Sequence, residues 1–179
     1  MTPAPKRKIL TIGHSNLDFK NFLLLLRKNG IRRIADVRSM PNSKTYPHFG
    51  QKALSNLLKK SGIEYFHIKE LGGYRKPKKN SSNLGWENIS FRGYADYMES
   101  PEFESGLNQL EEIAKEKPTA IMCAEAKPMY CHRILISDAL SVRKWKIYHI
   151  KNGGKPLLHK PTPFLRVRRG KIIYPYIKA

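Results

Sequence analysis

One short stretch of the chain, residues 120–133, holds most of the side chains that could do chemistry. It begins as an apolar run typical of a buried strand and then supplies two thiols, a carboxylate, an imidazole and a guanidinium: Cys123, Glu125, Cys131, His132 and Arg133. An apolar helical pattern follows from Ile134 to Leu140. Because ligands in open α/β sheets bind at the carboxyl ends of the strands, this order predicts a site between a strand and a helix.

The two cysteines are compatible with several roles. With Glu125 and His132 they could in principle ligate zinc, but the spacing matches no compact zinc motif and we expect the adjacent residues 131 and 132 to point in different directions, so the sequence predicts no metal site. A thiol at a helix start beside His and Arg has electropositive surroundings that favour the thiolate. Cysteine-based sulfur transfer or redox chemistry is therefore one alternative, and Ile34-Ala-Asp-Val-Arg38 echoes rhodanese-like sequences. In the simpler interpretation, Cys123 is a small buried strand residue.

Anion binding with acid–base catalysis is a further interpretation. Glu125 or His14 would act as general base or acid, and Asp36 would orient a partner. The structural alternatives are an ion pair between Asp36 and Arg38, a capping or core role for His132, and structural roles for the other four histidines. Four arginines could hold phosphate oxygens through paired N–H groups: Arg38, Arg75, Arg92 and Arg133.

The elements that must position these groups alternate between short apolar strands and helices. This alternation predicts a Rossmann-like three-layer α/β sandwich with a mainly parallel sheet, whose strand ends meet at one edge. The long irregular segments 39–50 and 71–90 are predicted to be loops. Strands are predicted at 8–13, 31–37, 64–68, about 120–123 and 146–150, and helices at 19–28, 51–61, 94–98, 103–115 and after residue 133.

Length and charge limit the class of protein. A chain of 179 residues suffices for one core and is too short for two full domains. It has no apolar run of membrane-spanning length and no signal-peptide pattern at its start, so we expect a cytoplasmic protein that does not enter a membrane. The net charge of +20, from 34 Lys and Arg against 14 Asp and Glu, favours a nucleic-acid or nucleotide partner, although a basic surface also serves solubility alone.

The basic residues are dense at the C-terminal end. Residues 1–150 are predicted to form the α/β domain, and residues 151–179 a basic extension with eight Lys or Arg and no acidic residue. The pattern around Arg169-Gly170 indicates a hairpin or edge strand packed on the domain, and a solvated basic tail is the alternative.

Several motifs together resemble the domain-of-unknown-function 488 family. They run in order from about Ile9 to Ile150: Thr11-Ile-Gly-His-Ser15, Asp36-Val-Arg38, Pro41 to Phe49, Leu71-Gly-Gly-Tyr-Arg75, Phe91 to Met98, Met122-Cys-Ala-Glu125 and Cys131-His-Arg133. One departure is Ser43-Lys44, where the family often has Ser-Arg, and lysine lacks the bidentate fork of arginine. The resemblance implies an α/β domain and a polar pocket but no reaction. It marks these positions as site residues: His14, Asp36, Arg38, Arg75, Arg92, Tyr94, Cys123, Glu125, Cys131, His132 and Arg133.

The resulting expectation is an enzyme, a hydrolase or transferase, that acts on a phosphate-bearing substrate such as a nucleotide or nucleic acid. Arg38, Arg75 and Arg133 would hold the anion while Glu125 and His14 transfer protons. The alternative is a non-catalytic nucleic-acid-binding module that uses the basic loop 69–79 and the hairpin 166–171. The sequence identifies neither a cofactor nor an oligomeric state.

Overall fold

The sheet of this protein is mostly parallel. A computed structural model describes residues 7–177. Within them, one sheet contains β1 (Lys8–Gly13), β2 (Arg33–Asp36), β3 (Glu64–His67), β4 (Thr119–Cys123), β5 (Lys146–His149) and β6 (Leu157–Leu158). The strand order is β3-β2-β4-β1-β5-β6, and every pair is parallel except β5 with β6. The predicted mixed α/β fold with a mainly parallel sheet is confirmed.

Helices cover both faces of the sheet, because neighbouring residues of a strand point to opposite sides. Leu10 and Ile12 of β1 belong to one apolar core, which also receives side chains from the first two helices, and Ile9 belongs to a second core on the other side. The three later helices pack into that second core. The helices are α1 (Phe19–Lys28), α2 (Gln51–Lys60), α3 (Ile89–Tyr97), α4 (Pro101–Glu116) and α5 (Arg133–Val142).

Two helices begin earlier in the chain than the spacing of apolar residues predicted, because capping residues determine where they start. The Asn88 side chain accepts the Phe91 N–H at 3.1 Å, so α3 begins five residues before the predicted Tyr94. The Ser100 hydroxyl accepts the Phe103 N–H at 3.2 Å, and α4 begins at Pro101. The predicted second strand was also too long, since only Arg33–Asp36 pairs as β2.

The C-terminal segment adds β6 to the sheet and then forms a separate hairpin. Strands β7 (Arg166–Arg168) and β8 (Lys171–Ile173) pair antiparallel, and Arg169 and Gly170 between them have φ values of 50° and 76°. Two consecutive residues with positive φ form the tight turn that is typical of a two-residue hairpin loop. Tyr174, directly after β8, is fully buried, and its N–H donates to the Asn83 side chain at 2.8 Å. The division of the chain at residue 150 stays a prediction.

None of the helices within residues 7–177 combines the length and the apolar character needed to cross a membrane.

Candidate functional site at the carboxyl edge of the sheet

The strand ends that carry the polar motifs lie side by side. Gly13 at the end of β1 is in register with Cys123 at the end of β4, and the His14 N–H extends the pairing to the Cys123 carbonyl at 3.0 Å. A Cβ on Gly13 would lie 1.9 Å from the Glu125 carbonyl oxygen, so only glycine permits this close approach. The loop after β4 is therefore held directly against β1.

The reactive side chains share one cavity of about 430 Å³ at this edge. Loop residues 38–40, 42–43 and 73–74, residues of α3 and Tyr130 complete its wall. Asp36 is fully buried and is not part of the wall. Five of the six predicted catalytic residues line the cavity: His14, Cys123, Glu125, Cys131 and His132.

Two cysteines and a histidine form a tight cluster in this wall. The sulfurs of Cys123 and Cys131 and one ring nitrogen of His132 all lie within 4.8 Å of one another. The expectation that residues 131 and 132 point apart was wrong, since the Cys131 Sγ and the His132 Nδ1 are 3.7 Å apart. The backbone explains this: Cys131 is extended (φ −134°, ψ 145°) and His132 is already helical (φ −57°, ψ −13°).

The ring of His132 is fixed by a backbone acceptor. Its Nε2 lies 2.9 Å from the Val37 carbonyl oxygen, which accepts only, so Nε2 carries a hydrogen. The other nitrogen, Nδ1, therefore faces Cys131. Gly73 lies close to the ring, because a Cβ there would approach the Nδ1 to 3.1 Å. The loop before α3 thus packs directly on the imidazole.

The buried guanidinium of Arg133 contacts the sulfur of Cys131. Arg133 is 1% exposed, its Nε donates to the Cys131 Sγ at 3.3 Å, and its Nη2 donates to the Glu125 carbonyl. Within residues 7–177 no carboxylate forms a salt bridge with it. A hydrogen bond from the Cys123 thiol, with the nearby His132 and Arg133, lowers the pKa of Cys131. That same hydrogen bond and burial raise the pKa of Cys123.

Asp36 and Arg38 form the ion pair that the structural alternative predicted. The Arg38 Nε and Nη2 contact the two oxygens of Asp36 at 2.9 and 2.6 Å, and the Tyr65 hydroxyl donates to the same carboxylate at 2.6 Å. Burial, together with the charge of Asp36, raises the pKa of Tyr65, so this hydroxyl remains a donor. Asp36 therefore orients Arg38 rather than a catalytic base.

His14 lies in the cavity wall with both ring nitrogens engaged. Its Nδ1 is 2.9 Å from the Ser15 carbonyl oxygen and its Nε2 is 3.4 Å from the Arg38 Nη1, while the ring stacks on Phe49 at 4.1 Å. Burial lowers the pKa of His14 to about 4. This places a neutral, fixed imidazole at the end of β1.

Of the four arginines predicted to bind phosphate, Arg38 lines the cavity and the other three do not. The Arg75 Nε donates to the Gly72 carbonyl at 3.3 Å and its guanidinium lies 3.6 Å from the centre of the Tyr97 ring. The Arg92 Nε donates to the Trp86 carbonyl at 3.0 Å. Neither lines the cavity, nor does the buried Arg133. Tyr94 does line it, but its hydroxyl donates to the Leu71 carbonyl at 2.8 Å, so only its ring is available.

The cavity wall also contains polar and aromatic groups that the sequence did not assign to the site. Tyr74 and Tyr130 are 90% and 65% exposed at its rim. The signal that could have found the loop members was the unusual length of segments 39–50 and 71–90, since long ordered loops tend to be functional. The lining residues outside the predicted catalytic and substrate-binding set are Ser39, Met40, Asn42, Ser43, Gly73, Tyr74, Ser90, Phe91, Ala124 and Tyr130.

A family comparison agrees with the motifs. The family model described as "Domain of unknown function DUF488" matches residues 18–140, more than half of the chain, so the chain belongs to this family. The matched region contains the Cys123, Cys131 and His132 cluster and ends within α5. No curated protein and no solved structure matches the chain.

Proposed function

We propose that this member of the DUF488 family is an enzyme that hydrolyses a phosphate-bearing substrate, a nucleotide or nucleic acid, in the cavity at the carboxyl edge of the sheet. One observation carries the proposal: Cys123, Glu125, Cys131 and His132 converge in a single cavity of about 430 Å³. A scaffold or a simple binding surface does not require such a concentration of reactive groups.

The rim of the cavity suits a planar base. The exposed rings of Tyr74 and Tyr130 stand at the rim, and Phe91 adds a third ring in the wall. Stacking on such rings contributes about 1–3 kcal/mol per base without regard to sequence. The net charge of +20 adds long-range attraction for phosphate. Both features favour a nucleotide unit, free or within a strand.

The phosphate would be held by hydroxyl and amide groups of the wall together with Arg38, rather than by Arg75, Arg92 or Arg133. Ser39, Asn42 and Ser43 follow β2 on the loop that borders the cavity. Ser90 lies in the first turn of α3, where backbone N–H groups lack helical partners and attract anions. The Arg38 Nη1 contacts no carboxylate and adds positive charge to the wall.

Glu125 is the proposed general base. It is exposed in the cavity wall. It would accept a proton from the attacking water and return a proton to the leaving group, so that one water is consumed for each bond broken. We assign this role to Glu125 and not to His14, because both nitrogens of His14 already have partners.

A comparison of two glutamine variants tests the proposal. Turnover of nucleoside phosphates and short oligonucleotides is measured for the full chain, for Glu125→Gln and for Glu87→Gln, whose exposed carboxylate lies outside the cavity wall. We expect Glu125→Gln to lose about 10²–10⁴-fold in kcat, the usual contribution of a general base, and Glu87→Gln to match the unmodified chain. Equal turnover by all three proteins would remove Glu125 from the mechanism. Absence of turnover on every substrate would contradict the enzyme proposal.

A second candidate function, nucleic-acid binding without catalysis, is favoured by the hairpin. Arg166, Arg168, Arg169 and Lys171 are all exposed, and within residues 7–177 none of them forms a salt bridge. If these cations contact phosphates, their replacement by Ala should reduce the slope of log affinity against log salt by about 3–4. An unchanged slope would exclude the hairpin as the binding surface.

A further inference from the structure

We propose that Cys123, Cys131 and His132 bind a zinc ion whose fourth coordination position faces the cavity. This inference goes beyond the proposed function, since it concerns a metal and not the substrate. The sequence predicted no metal site. The proposed site depends on geometry that only the folded chain provides.

The distances between the ligand atoms fit tetrahedral coordination of one zinc ion. Zinc binds sulfur at about 2.3 Å and imidazole nitrogen at about 2.0 Å, which places two such ligands about 3.5–3.8 Å apart on the edges of a tetrahedron. The Cys131 Sγ and the His132 Nδ1 are 3.7 Å apart, and all three ligand atoms lie within 4.8 Å of one another. A single ion can therefore reach all three atoms with little movement.

The orientation of His132 is that of a metal ligand. Ligating histidines nearly always donate their other ring N–H to a carboxylate or a backbone carbonyl, which fixes the tautomer. The His132 Nε2 donates to the Val37 carbonyl at 2.9 Å, and this leaves Nδ1 free to ligate on the side of the Cys131 sulfur, 3.7 Å away. Val37 directly follows β2, so the sheet itself aims the ring.

The sulfurs are held with comparable precision. Cys123 ends β4, in register with Gly13. The Cys131 N–H donates to the Pro128 carbonyl at 3.0 Å, and its sulfur accepts from the Arg133 Nε at 3.3 Å. N–H donors to a ligating sulfur are the supporting contacts that tune metal sites. The cluster is thus prepared by surrounding hydrogen bonds and does not depend on flexible surface side chains.

The donor set favours zinc and leaves one position open. Two thiolates with one imidazole suit zinc better than the hard cations that prefer oxygen. Three protein ligands are the pattern of catalytic zinc sites, in which water takes the fourth position and becomes a stronger acid. All three residues and Glu125 line the same cavity, so the open position would lie in the cavity that also contains the proposed general base.

Metal analysis of the reduced full chain tests this inference. Free thiols are first counted to establish that Cys123 and Cys131 do not form a disulfide with each other. The chain is then equilibrated with zinc as the only added metal, and the stoichiometry and affinity of binding are measured. We expect one zinc per chain. The Cys123→Ser, Cys131→Ser and His132→Asn variants should each lose more than the 10–100-fold in affinity that removal of a supporting residue costs. His48→Gln is the matched control, because His48 lies outside the cluster and bonds the Leu17 carbonyl at 2.9 Å. Its affinity should be unchanged.

Cobalt substitution gives a readout that needs no variant. Cobalt(II) bound by two thiolates in the unmodified chain should show sulfur-to-metal charge-transfer absorption and the visible bands of a tetrahedral ion. Failure of the folded, reduced chain to bind zinc would overturn the inference, and so would cobalt bound without the sulfur band. Neither readout depends on turnover, so a failed substrate proposal would leave the metal result intact, and the reverse also holds.

Discussion

Two buried arginines border the site, and different groups balance their charges. Arg38 has the fully buried carboxylate of Asp36, reinforced by the Tyr65 hydroxyl. Arg133 has the sulfur of Cys131. A buried cation without a carboxylate requires another anion nearby, and a thiolate meets that requirement. The same contact serves a free thiolate or one that ligates a metal.

The ion pair of Arg38 leads to a stability prediction. Arg38→Ala should lower the free energy of unfolding by about 3–5 kcal/mol, because Asp36 would remain as a buried, unpaired charge. Urea unfolding followed by circular dichroism measures this. The matched control is Arg168→Ala, an exposed residue of β7 whose loss should cost no more than about 0.5 kcal/mol. Equal, small effects of both variants would show that the pair is not structural.

At the scale of elements, a chain of hydrogen bonds ties the segment after β6 to the sheet and to α5. The Asp138 carboxylate accepts from the His159 Nε2 at 2.9 Å, the His159 Nδ1 accepts from the His149 Nε2 at 2.9 Å, and the His149 Nδ1 accepts from the Thr11 hydroxyl at 2.8 Å. For neutral imidazoles this direction follows, because the carboxylate can only accept and each ring then has one donor and one acceptor nitrogen. Asp138 also accepts from Thr162 and Tyr174, so one buried charge organises the C-terminal segment.

This network predicts acid sensitivity. Burial, with the neighbouring His159 and Arg133, lowers the pKa of His149 to about 4, against the effect of Asp138. The pKa in an unfolded chain is about 6.5, so the unfolded state takes up the proton first. The free energy of unfolding is therefore unaffected by His149 above about pH 6.5. As the pH falls from 6.5 towards 4, protonation of His149 in the unfolded chain lowers this free energy by up to about 3 kcal/mol. Urea midpoints across this range should depend less on pH in His149→Gln. Parallel pH profiles would contradict the assignment.

Patterns that repeat along the chain predicted the elements well, whereas contacts formed only on folding were missed. The apolar runs that end at Gly13 and Cys123 gave β1 and β4, because a buried strand needs continuous apolar side chains. Strand β6 has two residues, too few for any periodicity. Arg75 reaches a carbonyl and an aromatic ring that its sequence neighbours do not reveal. Long side chains bind whatever acceptor the fold brings close, so the sequence could not show that Arg75 lies outside the cavity wall.

At the scale of the whole molecule, the net charge of +20 would attract an anionic partner, and two regions of the surface could receive it. The cavity at the carboxyl edge contains the reactive groups, and the hairpin of β7 and β8 presents exposed cations. Electrostatic attraction acts over the whole surface and does not by itself select a site. In the function proposed above, the hairpin would increase the local concentration of a nucleic acid, and hydrolysis would take place in the cavity.

Nuclear magnetic resonance mapping of ligand contacts tests the central claim most directly. The isotope-labelled full chain, of 20.7 kDa, is titrated with nucleoside monophosphates and with a short single-stranded oligonucleotide. If a nucleotide binds in the cavity, we expect both ligands to cause saturable changes in the backbone amide chemical shifts of four residues of the cavity wall: Tyr74, Ser90, Glu125 and Tyr130. Shifts confined to residues 166–171, or no shifts with either ligand, would contradict a nucleotide site in the cavity.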